Sequence, residues 1–389
     1  MRWLKACLVA GFLVLGGAGL ARAATPLPMP SATLSPAYGA VQSSPLNSFL
    51  QQVNEATAGK LPPLDIGKII SGMAHGGGAY SPTQLVRGVW GIIAGDLVQE
   101  SRLLGELLAL GVIAALLELL AESFDRQDVS RFATAAVYLA LAVLALDAFY
   151  QAASLVEKSV GLMVGLMQSM LPLVTMLLAG VGAFMTAGLF HPLMLVAINV
   201  IAAIVRGLVI PALIAGVVLE VIGQVSGFKL SGIATLLRQV GLWTTGAALT
   251  LFVGLIAVYG AAGPVMDGVA LRSGKFLANT FIPVVGKLFS DAAEAVFGST
   301  YLLKDAVGLV GLLAVGYLIV VPILKLLVLI LVFRLSAGVL APIGSKTVVD
   351  ALSQFATSLA HLAMAMGAVG VMFFLSMTIV FAAGKGAWG

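Results

Sequence analysis

The chain has 389 residues, of which 60% are hydrophobic and only 10% charged, and its mean hydropathy is +1.08. A soluble domain carries roughly a quarter charged residues, so this composition excludes a globular protein free in water. The isoelectric point near 9.2 does not mark a nucleic-acid binder: Arg2, Lys5 and Arg22 belong to the extreme amino terminus, and of the 21 basic and 17 acidic residues, 18 basic against 17 acidic remain without them, too small an excess to neutralise phosphates.

Residues 1–23 read as a signal peptide. Met1 to Lys5 is basic, Ala6 to Leu20 is apolar, and Ala21-Arg22-Ala23 fits a small-x-small cleavage site. Cleavage starts the mature chain at Ala24, outside the cytoplasm. It also removes Cys7, the single cysteine, and with it disulfides, Cys-ligated zinc and thiol catalysis. Residues 24–102 form an extracytoplasmic arm followed by an amphipathic helix. The arm is rich in Pro, Ser, Thr and Ala. The helix starts at Ser81-Pro82-Thr83-Gln84, where a cap, a first-turn proline and a capping-box glutamine coincide, and Leu85, Val89, Ile92 and Ile93 mark its apolar face.

A membrane bundle follows over 103–262. Its first spans are about Leu103 to Ala121 and Phe132 to Tyr150, joined by a short polar link. From Gln151 to Met170, one face carries Val156, Val160, Met163, Met167 and Met170, while Glu157, Lys158 and Gln168 lie elsewhere, the pattern of an interfacial helix. A third span runs from Leu171 to Phe190, with a turn at His191-Pro192. Leu193 to Leu219 holds Asn199, Arg206 and Pro211 and reads as a kinked helix or two half-helices. Glu220 to Val240 reads as a polar connector, and Gly241 to Ala262 as a further span.

Residues 263–305 are an amphipathic polar loop. In it Lys287, Asp291 and Glu294 fall at i, i+4 and i+7, opposite Val285, Leu288, Phe289, Ala292 and Val296. These three charges are candidates for partner docking. The carboxy-terminal membrane region, 306–389, holds spans at about Ala306 to Phe333 and His361 to Ala383. The class is an all-α polytopic membrane protein of the cytoplasmic membrane, with about seven transmembrane helices plus amphipathic interfacial helices. Seven spans from an outside start place 264–305 in the cytoplasm, with Arg272, Lys275, Lys287 and Lys304.

Enzyme signals are poor. His75, His191 and His361 form no ligand motif, no GxxxxGK[ST] loop occurs, and His75-Gly76-Gly77-Gly78 lacks the G-x-S-x-G that would make it an oxyanion motif. A non-enzymatic protein with no metal, cofactor or nucleic acid is expected. The candidate intramembrane polar residues are Glu106, Glu118, Asp147, Arg206 and Lys325, each costly against lipid. They form a polar pathway, with Arg206 paired to an acidic residue, or else snorkel and make structural helix contacts. Gly161/Gly165 and Gly246/Thr250/Gly254 have the small-xxx-small spacing of close helix packing.

Three segments carry a resemblance: GKFLANTFIPVVGKLFSDAAEAVFG (274–298), FRLSAGVLAPIG (333–344) and MFFLSMTIVFAAG (372–384). From about Asp267 onward the chain resembles the stage III sporulation protein AE family of endospore-forming bacteria. The resemblance implies a multi-pass subunit of a channel or secretion-like complex in the mother-cell membrane around the forespore. Its partners would be the other stage III membrane proteins, a cytoplasmic ATPase and a forespore-membrane protein, and late forespore gene expression would require it. It implies no catalytic residues. A stand-alone secondary transporter is the rival reading, with 206–211 and 322–325 as paired broken helices. An intramembrane enzyme is a third, disfavoured by the lack of a catalytic pair.

Overall fold

A computed structural model describes residues 45–57, 61–65, 67–69, 82–123, 127–180, 182–226, 228, 230–281, 285–343 and 346–382; within these, most side chains of 121–134 and 270–303 are outside the description. The signal peptide and the arm up to residue 44 lie outside the described residues. Eight α-helices occur among the described residues: α1 (Pro45–Ala56), α2 (Pro82–Ser123), α3 (Gln127–Gly180), α4 (Phe184–Ile204), α5 (Ile210–Ser226), α6 (Ser231–Phe281), α7 (Val285–Leu340) and α8 (Lys346–Ala382). A π-helical segment, Val205–Val209, joins α4 to α5.

Six helical stretches are long and apolar enough to cross a membrane: Val86–Leu120, Ala135–Gly180, Phe184–Ser226, Ser231–Asp267, Lys304–Leu340 and Lys346–Thr378. They run from 33 to 46 residues, against about 20 needed for the hydrocarbon core, so they tilt or extend beyond it. The all-α polytopic class holds, with six such helices among the described residues.

The expected turn at His191-Pro192 is absent, and both residues lie inside α4. The chain reverses earlier, at Gly182. This residue has φ 83°, and the Ala183 N–H reaches back to the Leu178 carbonyl at 2.9 Å while the Gly182 N–H bonds Ala179 at 3.0 Å. A left-handed glycine just past a helix is the usual way to close its last carbonyls. Proline at 192 misled because a spanning helix tolerates proline when neighbours re-satisfy the backbone.

The stretch 151–170 is likewise not an interfacial helix. It continues α3, and Val156, Val160, Met163, Met167 and Met170 are fully buried in the bundle core. Its apolar face meets protein, not lipid. The connector expected over 220–240 shrinks to a turn between Ser226 and Ser231, with Glu220 and Arg238 inside helices. The region 193–219 is one bent run rather than two halves. The π-helical turn sits just before Pro211, which has no N–H and whose ring crowds the carbonyl of Gly207. Around Pro322 and Lys325 α7 is unbroken, so the paired half-helices of the transporter reading are absent there. The polar loop 263–305 is largely helical, formed by the ends of α6 and α7. With six crossings it belongs to the bundle end opposite the α2–α3 turn, whereas seven crossings had put the two on one side.

Close approaches rest on small residues. A Cβ on Gly311 of α7 would stand within 3 Å of Met170 on α3 and Met377 on α8. One on Gly370 of α8 would crowd Ile319, and one on Gly111 of α2 would strike Leu340. Gly246 and Gly254, in contrast, face open space, so the small-residue spacing on α6 packs against nothing among the described residues. Three buried hydroxyls are satisfied within their own helices: Ser336 donates to Val332, Ser376 to Met372 and Thr245 to Gly241, each at 2.8–2.9 Å.

Gly311→Val is expected to lower stability by about 1–3 kcal/mol through overpacking, whereas Gly260→Val, with nothing within 4 Å of its Cβ position, leaves it unchanged. Thermal unfolding of both variants in one detergent checks this.

Candidate functional site: polar groups within the membrane bundle

The sequence-derived candidates do not converge on one centre. Glu106 accepts from Arg102 Nε at 2.9 Å on an exposed stretch of α2. Glu118 is half-buried near the end of the same helix. Asp147 is exposed on α3 and accepts from Gln151 Nε2 at 2.8 Å. Both paired carboxylates make local i, i+4 contacts, worth a few tenths of a kcal/mol each, about 0.2–0.5 in isolated helices. Lys325 of α7 lies within electrostatic range of Glu100 on α2, beside Asp96 one turn away. Asp96 is buried. The docking candidates Lys287, Asp291 and Glu294 fall on α7, with their side chains outside the described residues.

Arg206 occupies the π-helical segment and is exposed. Its guanidinium lies over Gly161 of α3. Among the described residues no carboxylate comes within ion-pair distance of it, so the expected acidic partner is not there. What it does belong to is a seam between antiparallel α3 and α4. Thr175 Oγ1 is 3.4 Å from His191 Nδ1, and Gln168 Nε2 donates to Asn199 Oδ1 at 3.3 Å. Thr175/His191, Gln168/Asn199 and Gly161/Arg206 are successive rungs, about two turns apart.

A largely buried ion pair was missed from sequence. Arg238 of α6 makes an ion pair with Glu220 of α5 at 2.8 Å, with side chains 10% and 13% exposed. The same guanidinium donates to Ser358 Oγ of α8 at 3.1 Å and to the Ala234 carbonyl at 3.4 Å. Tyr138 of α3, Glu220, Gln354 and Ser358 line a small cavity. Gln354 Oε1 and His361 Nδ1 are buried without a hydrogen-bond partner in the described structure. Four helices thus meet at one polar knot. The signal was legible in hindsight: Glu220 and Arg238 are each embedded in apolar sequence, where a true connector would be polar throughout.

A second missed group caps a helix from a distance. Asp267 Oδ1 accepts the backbone N–H of Met185 at 2.9 Å and of Thr186 at 3.3 Å, and Oδ2 accepts the Thr186 hydroxyl. Tyr259 donates to the Thr186 carbonyl at 2.6 Å and packs against Phe190, with ring centroids 5.8 Å apart. The residue before α4, Ala183, has no side chain able to cap. Asp267 therefore supplies the negative charge that the α4 amino terminus favours.

The model of a protein family described as stage III sporulation protein AE matches residues 64–384. The chain belongs to this family. A relative, the stage III sporulation protein AE of Bacillus subtilis (strain 168), is 29% identical over 346 residues, which cover 89% of this chain and 86% of the relative. No solved structure matches. The matched range contains all six candidate spans, so the polar knot, the capped turn and the α3–α4 seam all lie in the family's own part of the chain. The protein is a sporulation-family membrane protein.

Removing one partner of a buried ion pair costs about 3–5 kcal/mol, while replacing both by apolar groups is far milder. A stranded carboxyl can neutralise itself with a proton, whereas a guanidinium cannot. Glu220→Met is therefore expected to destabilise more than Arg238→Met, and the double variant less than Glu220→Met alone, as read by thermal unfolding in detergent.

Proposed function

We propose that this protein is a non-enzymatic, multi-pass subunit of a sporulation channel or secretion-like complex linking mother cell and forespore, and that late forespore gene expression requires it. The observation that carries the reading is the family match across the entire six-helix bundle. On this reading the protein resides in the mother-cell membrane around the forespore. Its partners are the other stage III membrane proteins, a cytoplasmic ATPase and a forespore-membrane protein.

Six crossings sharpen the partner assignment. If the amino-terminal arm starts outside the cytoplasm, the α6–α7 end of the bundle is also outside it. The helix carrying Lys287, Asp291 and Glu294 is then within reach of a forespore-membrane partner. The ATPase docks at the opposite end, beside the turns that follow α5 and α7. Reversing the three charges together is expected to remove the forespore-membrane partner from pull-downs while the ATPase is retained. Recovery of every component from the triple variant overturns this assignment.

The function itself is tested by a late forespore-specific fluorescent reporter in sporulating cells that lack the protein. Engulfment is expected to be normal, the reporter lost, and expression restored by the intact gene. Normal reporter output and normal spores overturn the reading. A second reading, a stand-alone secondary transporter of a small solute, draws on one observation: the Asp96, Glu100 and Lys325 grouping between α2 and α7, the kind of intramembrane ionisable set found on transport paths. Solute flux by the purified protein alone in liposomes distinguishes it.

A further inference from the structure

Three neighbouring helices carry uncharged runs of one length at one level. Residues 159–180 of α3, 184–205 at α4 and 244–266 of α6 contain no Asp, Glu, Lys or Arg. Each run is about 22 residues, about 33 Å at 1.5 Å per residue, against about 30 Å of hydrocarbon. One end of this slab is the Gly182 turn, where Asp267, the first charge after the α6 run, caps α4 at Met185 and Thr186. At the other end stand Glu157 and Lys158 of α3 and Arg206 of the π-helical turn, all exposed. Inside the slab, Thr175 meets His191 and Gln168 meets Asn199 across the α3–α4 seam.

Trp243 marks the same level on α6. A Cβ on Gly241, two residues before it, would meet the Val209 carbonyl at 3.6 Å, and antiparallel α5 and α6 then set Trp243 beside the turn that holds Arg206. Trp243 is 76% exposed. An exposed tryptophan flanking an apolar run is the usual anchor at the boundary between hydrocarbon and headgroups. Arg206 and Lys158 thus stand among headgroups, free of the cost that each would carry in hydrocarbon.

The two basic side chains converge. Lys158 lies three residues before Gly161 on one helix face, and a Cβ on Gly161 would overlap the Arg206 guanidinium. Among the described residues, neither cation has a carboxylate within ion-pair distance. Glu157 shares the face, four residues before Gly161, so the patch holds one positive charge in excess. Phe49 of α1 covers Gly165 on the next turn and bounds the patch on the side of the slab. A guanidinium and an ammonium side by side suit the acceptor oxygens of a phosphodiester. A zwitterionic lipid adds its own cation, whereas an anionic one matches the excess charge. We infer that Lys158 and Arg206 bind the phosphodiester headgroup of an anionic phospholipid at the α3–α4 seam. This site is separate from the protein partners of the channel reading and does not rest on it.

The test uses the full chain, delipidated in detergent, with bound lipid counted by native mass spectrometry as phosphatidylglycerol, phosphatidylcholine or inorganic phosphate is added. Phosphatidylglycerol is expected to bind at least ~10-fold more tightly than phosphatidylcholine, the scale set by basic side chains at an anionic surface. The preference is expected to vanish in the Lys158→Gln/Arg206→Gln variant and to persist in Arg334→Gln, which removes an exposed cation of α7. A second measurement needs neither charge variant. Nitroxides on Leu208→Cys and on Val196→Cys, both exposed positions, are compared in the Cys7→Ser chain in vesicles of equimolar phosphatidylglycerol and phosphatidylcholine. Collision with oxygen against a water-soluble nickel chelate is expected to place Leu208→Cys at headgroup depth and Val196→Cys near mid-hydrocarbon. Equal affinity for the two lipids overturns the inference, as does a preference kept by the double variant or lost equally in Arg334→Gln. Inorganic phosphate displacing the lipid at equal concentration assigns a free-anion site and overturns it too, and so does a Leu208→Cys label as deep as the one on Val196→Cys.

Discussion

Backbone amides and carbonyls have no water to bond in hydrocarbon, and the fold follows from that constraint. Each must be satisfied within its own segment, which leaves the α-helix for a chain of this topology. Side-chain hydroxyls obey the same rule by returning to carbonyls four residues back, as Thr175 does to Leu171 and Ser336 to Val332. The rule also explains how prolines at 172, 192 and 322 sit inside helices, and why the chain bends through a π-helical turn before Pro211 instead of breaking.

Since lipid is as apolar as the side chains it surrounds, helices gain little by hiding leucine from it, and packing has to come from close approach and from polar contacts. The bundle uses both. Gly311 and Gly370 let α3, α7 and α8 touch around Met170, Met377 and Ile319. Arg238 ties α6 to α5 by an ion pair and to α8 by a hydrogen bond from the same guanidinium. Asp267 fixes the end of α6 to the start of α4. Such bonds determine which helices are neighbours, a property that apolar contact specifies weakly.

The exterior divides by the same logic. Most of it is apolar. Asp147, Gln151, Lys158 and Gln168 of α3 and Arg206 are exposed polar exceptions. A buried ion pair such as Glu220–Arg238 is complete within one chain.

The helical class, the membrane setting and the family resemblance of the carboxy-terminal third were legible in the sequence, because long apolar blocks permit little else and a few segments kept recognisable residues. Helix boundaries were legible where the local signal was unambiguous, as at Ser81-Pro82, where α2 begins at Pro82. They were misplaced where two local signals competed: His191-Pro192 outweighed Gly182, and the charges of Glu220 and Arg238 made a connector out of two helix ends. Which polar residues meet was decided only by the tertiary structure. Arg238 finds Ser358 120 positions away, and Asp267 caps a helix 81 positions earlier. Hydropathy measures each segment against lipid, whereas these contacts depend on which helix lies beside which, a choice made by glycine gaps and paired charges distributed over the whole chain.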